Sequence, residues 1–187
     1  MVAYDLYTQF ATIAILHLFA VMSPGPDFAL IIRQSIVFGR KVSIATSIGI
    51  GIGILFHIFY CIIGLGYIIS KYESVFFIIK LTGAIYLIFL GYKSLSDRTD
   101  IQIEKKTDSI KSSVLNSFSI GFFTNILNPK ATLFFLSLYT FIINEQPNIS
   151  IQLFYGLWMS LMTGLWFSFL SIILTNRKLT TYINKFS

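Results

Sequence analysis

Two long apolar segments of this chain are each broken by proline near the middle. Ser23-Pro24-Gly25-Pro26-Asp27 interrupts the segment over residues 6–38, and Asn128-Pro129-Lys130 interrupts the segment over residues 112–143. Proline removes a backbone donor and clashes with the preceding turn, so each break frees carbonyls that lipid cannot satisfy. Such irregular backbone is tolerated at membrane depth only where protein or a cavity covers it. The two breaks lie at about the same depth in the two halves of the chain, the arrangement expected of an inverted-repeat transporter with its site at the paired broken helices.

Composition agrees with a membrane protein. The chain is 55% hydrophobic and 12% charged, with a mean hydropathy of +0.76, against about 25% charged residues in soluble domains. The net charge of +6 does not indicate nucleic acid, because the basic residues sit in short loops between apolar runs. The single Cys61 has no partner for an intramolecular disulfide and speaks against thiol-redox chemistry. No glycine-lysine phosphate loop is present, so direct coupling to ATP within this chain is not expected. The amino terminus has no basic region before its apolar run and is not read as a cleaved signal.

Five segments are long enough to span a bilayer, over residues 6–38, 42–69, 74–95, 112–143 and 151–174. The first and fourth are read as pairs of half-helices meeting at proline. Arg40, Lys41, Lys93, Arg98, Lys105, Lys106, Lys111, Arg177, Lys178 and Lys185 all fall in or beside loops on one face, and only Lys71 on the other. The positive-inside rule then puts the amino terminus outside and residues 96–113 in the cytoplasm. The fold class expected is an all-α integral membrane protein with five spans of a 3+3 inverted repeat. Residues 1–95 form the first repeat, 96–113 a solvated linker, and 114–187 a second repeat of two spans. The sequence stops at Lys185-Phe186-Ser187, where a sixth helix is expected.

Several polar groups lie within these spans. Asp27 follows the first break, in the first turn of a half-helix, where free amides and the dipole favour an anion. An aspartate in a span costs about 2.5–3.5 kcal/mol on insertion scales, so it either caps the helix or meets a substrate amine or a proton. Lys130 holds the matching place after Pro129, suited to a substrate carboxylate or to pairing with Asp27. Asn125 and Asn128 flank it with donors and acceptors. Pro24, Gly25 and Pro26 complete the first break. Lys80 and His57 are further candidates for the path; Lys80 is long enough to snorkel, and His57 and His17 can relay protons or simply hydrogen-bond a carbonyl. Small-residue stripes run along the second span (Thr46, Gly49, Gly53, His57, Cys61, Gly64) and the fifth (Gly156, Ser160, Thr163, Gly164, Phe167, Ser171), and most of these positions are read as helix packing.

An ordered set of short matches runs along nearly the whole chain: Ser23-Pro24-Gly25-Pro26, Gly39-Arg40, Gly49, Gly53 and Gly64, Lys80 to Leu87 with Gly91, then Phe118, Gly121, Asn125 and Asn128-Pro129-Lys130. In these the chain resembles the LysE/RhtB amino-acid exporters. The resemblance implies secondary export of amino acids or related small zwitterions across a bacterial inner membrane, coupled to protons, with no cofactor and no enzymatic activity. It also implies six helices. Two alternatives follow: a truncated, non-transporting remnant, or a redox or metal-handling membrane protein of similar architecture. The lone cysteine and two histidines speak against the second. Self-association through Gly156, Ser160 and Gly164, giving a homo-oligomer, is a further expectation.

Overall fold

The computed structural model describes residues 2–96, 113–145 and 148–176, and every regular element among them is an α-helix. Helix α1 (Val2–Met22) ends just before Pro24, and α2 (Pro26–Phe38) begins with proline at its first position, where no amide is needed. The two are bent by 54°. Gly39 then closes α2 with φ of +81°, a left-handed conformation that glycine adopts without strain, and its amide donates to Gln34 O. Helix α3 (Arg40–Lys71) has no internal proline and runs for 32 residues. Helix α4 (Glu73–Ser96) follows after Tyr72.

The second half repeats the pattern. Ser113 caps α5 (Val114–Ile126) by accepting from Asn116 N, and α6 (Pro129–Glu145) again begins with proline. Helix α7 (Ile149–Leu174) is capped by Asn148, whose side chain accepts from Ser150 N at 2.9 Å. The breaks therefore fall at the expected prolines, and the element bounds follow the expected segments closely.

Among the described residues, α3 over Arg40–Leu65 and α7 are long and apolar enough to cross a membrane by themselves, and the bent pair α1–α2 passes as one span. The expectation of five spans is met only in part. The fourth segment is present as two shorter apolar helices, neither long enough alone, because the Asn-Pro break divides it. Residues 97–112 and 177–187, with Arg98, Lys105, Lys106, Lys111, Arg177, Lys178 and Lys185, lie outside the described residues.

Polarity runs opposite to that of a soluble protein. Gln9, His17, Ser43, Thr46, Ser47, His57, Ser117, Asn125, Gln152 and Thr163 are buried, while Ile15, Phe19, Ile52, Phe59, Ile63, Leu157, Leu161 and Leu165 are exposed. Exposed apolar residues recur three or four apart on the outer faces of α1, α3 and α7, as a lipid-facing surface requires.

Helix α3 is the hub, packed against α2, α4, α5, α6 and α7. Glycine permits this: a Cβ on Gly49 would lie 2.1 Å from Phe118 O, and one on Gly121 would lie 2.1 Å from Thr46 O. No side chain fits there, so α3 and α5 touch backbone to backbone. On the other side Gly51 abuts Ser160 and Gly164, and Ser160 Oγ donates to Gly51 O at 2.7 Å. A Cβ on Gly156 would meet Ile58 and Tyr139. The small-residue face of α7 is thus occupied by neighbours within the chain. Gly64 has open space around it.

Candidate functional site

The two proline breaks meet, and each supplies the charge that the other needs. Asp27 lies in the first turn of α2. Its Oδ2 accepts from Asn125 Nδ2 at 2.9 Å and from Asn128 Nδ2 at 3.0 Å, both belonging to the second break. Lys130 lies in the first turn of α6 and reaches back to the first break. Its Nζ donates to Ser23 O at 2.9 Å, to Pro24 O at 3.1 Å and to Ser23 Oγ. These carbonyls stand at the C-terminal end of α1, where helix dipole and unpaired oxygens favour a cation. Lys130 also acts electrostatically on Asp27.

Local sequence explains how each side chain is held. Asn128-Pro129 is an N-cap followed by a first-position proline: Asn128 O accepts from Thr132 N at 3.0 Å, and Asn128 Oδ1 accepts from Lys130 N at 3.0 Å. The amide end of the same side chain is left for Asp27. Gly25 lies against the Lys130 stem, where a Cβ would come within 3.1 Å of Cδ and 3.3 Å of Nζ. Gly53 does the same for Asn125, its Cβ position lying 2.8 Å from Oδ1.

His57, on α3, sits behind Asn125. Its Nε2 donates to Asn125 O at 3.0 Å, which leaves Nδ1 of the neutral ring to accept from Tyr60 OH at 2.9 Å. The ring stacks on Phe135 of α6, with planes 11° apart. One side chain of α3 thereby touches both halves of the second broken segment. A carbonyl cannot pass a proton on, so this contact holds Asn125 rather than linking His57 to Asp27.

A cavity of about 50 Å³ adjoins the crossing, lined by Ser23, Gly25, Asp27, Asn125, Asn128 and Lys130 at its polar part and by aromatic side chains from α2, α6 and α7 elsewhere. At roughly 10–15 Å³ per water, it holds a few waters. His17 and Thr163 also line it, bonded to each other at 3.0 Å between Nε2 and Oγ1, so that α1 is tied to α7 across the wall.

Six of the expected site residues therefore converge: Pro24, Gly25, Asp27, Asn125, Asn128 and Lys130. Pro26 and Pro129 start the two half-helices, and His57 stands one contact away. Lys80 is carried on α4 and its side chain lies outside the described residues. Sequence reasoning passed over Ser23 as a ligand of Lys130 and over the His17–Thr163 pair. Serine before a proline break is a visible signal for the first; the second joins residues 146 positions apart and has none.

The whole arrangement can be set beside known proteins. The family model for the LysE type translocator matches residues 18–184. An uncharacterized membrane protein of Bacillus subtilis is 34% identical over 166 residues, covering 84% of this chain and 79% of the relative. A threonine efflux protein of Salmonella typhi is 31% identical over 168 residues, covering 85% and 78%. The threonine efflux protein of Escherichia coli K12 is 29% identical over 143 residues, covering 73% and 68%. No solved structure matches the chain. These relationships favour a transporter over a redox or metal-handling membrane protein. The chain belongs to the LysE type translocator family.

Proposed function

We propose that this protein exports a small amino acid, threonine or one of similar size, across the bacterial inner membrane, with protons moving in exchange. The observation that carries the proposal is the crossing of the two breaks, where a carboxylate, an ammonium and two amides line one cavity inside an apolar-surfaced bundle. Relatives named for threonine efflux support the substrate class. Asp27 and the amides of Asn125 and Asn128 form the centre that meets the solute; Lys130 balances the charge and holds the end of α1. Alternating access requires the half-helices to separate, and the breaks are where they can do so with least loss of helical hydrogen bonds.

The two halves, residues 1–95 and 114–187 joined by residues 96–113, act as inverted repeats in this scheme. Reciprocal contacts of Asp27 and Lys130, each just after a helix-starting proline, support that relation. Loop charge supports an external amino terminus and a cytoplasmic linker. Labelling of a cysteine placed at Asp100 in a Cys61→Ser background, from outside intact cells, would contradict the orientation.

The transport test is counterflow in proteoliposomes with a panel of radiolabelled amino acids. Accumulation of threonine or a neighbour in size is expected, with none for sugars of similar mass. Failure of every amino acid to exchange overturns the proposal.

A further inference from the structure

The two oxygens of Asp27 are in different situations. Oδ2 receives two amide donors, from Asn125 and Asn128. Oδ1 is buried and, among the described residues, has no hydrogen-bond partner. The carboxylate lines the cavity at the crossing. Leaving an anionic oxygen buried and unpaired is costly, and such an atom calls for an explanation. Lys130 donates to Ser23 O, Ser23 Oγ and Pro24 O and acts on Asp27 electrostatically, without a hydrogen bond to Oδ1.

We infer that Asp27 Oδ1 is the one atom on which a transported proton and the ammonium group of the substrate alternate. This rests on the export reading above and assigns the substrate class more narrowly, to solutes bearing a free ammonium group. Oδ2, fixed by its two amides, cannot take the proton without losing at least one of them. The proton therefore goes to Oδ1, where it makes the group a neutral acid. An arriving ammonium displaces it: the carboxyl O–H bond breaks, the carboxylate accepts an N–H from the substrate, and one proton leaves. Exchange of one proton for one substrate then follows from occupancy of a single atom, without a second titrating site. The other titratable groups near this centre are Lys130 on α6, His17 on α1, bonded to Thr163, and His57 on α3, held between Asn125 O and Tyr60.

The test is equilibrium binding of threonine, N-acetylthreonine and threonine methyl ester to the purified full chain over a range of pH, with proton release measured alongside. Threonine and its ester should compete for one site, with an affinity that weakens toward tenfold per unit as pH falls, and N-acetylthreonine should bind at least a hundredfold more weakly. Each bound threonine should release up to one proton. Asp27→Asn should flatten the pH dependence to under twofold, while His17→Gln and His57→Gln should keep it. Equal binding of N-acetylthreonine overturns the inference, as does a pH dependence that persists in Asp27→Asn or vanishes in a histidine variant. Amino-acid counterflow that proceeds with a pH-independent affinity overturns this assignment alone. Absence of any amino-acid binding or counterflow overturns the export reading with it.

Discussion

The two breaks look alike in sequence and are built differently. The second is partly self-sufficient: Asn128 caps α6 with its own side chain, and Gly121 presses α5 against the backbone of α3. The first has Gly25 as its N-cap, with no side chain to satisfy the end of α2, and its freed carbonyls at Ser23 and Pro24 depend on Lys130 from the other break. A break that completes itself can act as a fixed frame. A break whose polar groups are satisfied only across the crossing can change partners when that crossing opens. In the proposed transport scheme the first break, with Asp27, is the moving side of the site.

The largest effect that can break this comparison comes from Lys130→Met. It removes the donors to Ser23 O and Pro24 O and leaves Asp27 without the cation that acts on it. Loss of one partner of a fully buried charge pair costs about 3–5 kcal/mol, the upper bound for these half-buried groups. Little folded protein should be recovered in detergent. Thermal unfolding of Lys130→Met at wild-type temperature would show that the first break does not depend on the second.

A separate effect tests the glycine contact that packs the second break against α3. Gly121→Ala places a methyl within 2.1 Å of Thr46 O, so α3 and α5 must move apart. Overpacking of this kind costs about 1–3 kcal/mol. Gly64→Ala, with open space around it, should be neutral in the same unfolding assay. Equal effects at the two positions would remove the basis for calling α5 a fixed frame.

Asparagine substitutions sharpen the comparison further. Asn128→Ala removes a cap of about 1 kcal/mol and a hydrogen bond to a carboxylate of about 1.5–3 kcal/mol, whereas Asn125→Ala removes only a bond of the latter kind. Asn128→Ala should be the more destabilising of the two. The smallest effect expected is from Ser160→Ala, which deletes the bond to Gly51 O; interhelical hydrogen bonds in membrane proteins average about 0.6 kcal/mol. That change lies away from both breaks and should leave counterflow intact.

Much of this was legible in the chain itself. Pro26 and Pro129 mark helix starts with little ambiguity, because proline suits a first helical turn and disrupts an interior one. Helical spacing puts Ser113, Ser117, Gly121, Asn125 and Asn128 on one face, and all but Ser113, at the exposed start of α5, are buried. What the chain could not disclose is the crossing. Depth in a span and a place just after proline mark Asp27 and Lys130 as candidates but carry no distance between them. Their hydrogen bonds to amides and carbonyls, beside the electrostatic attraction between them, depend on how α1 and α5 end. The partners of Gly156 and Ser160 were hidden for the same reason: a small-residue face packs equally well in lipid against another copy or against α3.

The role of Asp27 is tested most directly by threonine counterflow in proteoliposomes that contain matched amounts of folded wild-type and Asp27→Asn protein. The asparagine keeps the shape and can still accept from Asn125 and Asn128, but it lacks the charge. At least a tenfold loss of counterflow, with the melting temperature within a few degrees of wild type, is the expected result. Normal counterflow by the folded asparagine variant across pH would contradict it and leave Asp27 as a structural partner of Asn125 and Asn128 alone.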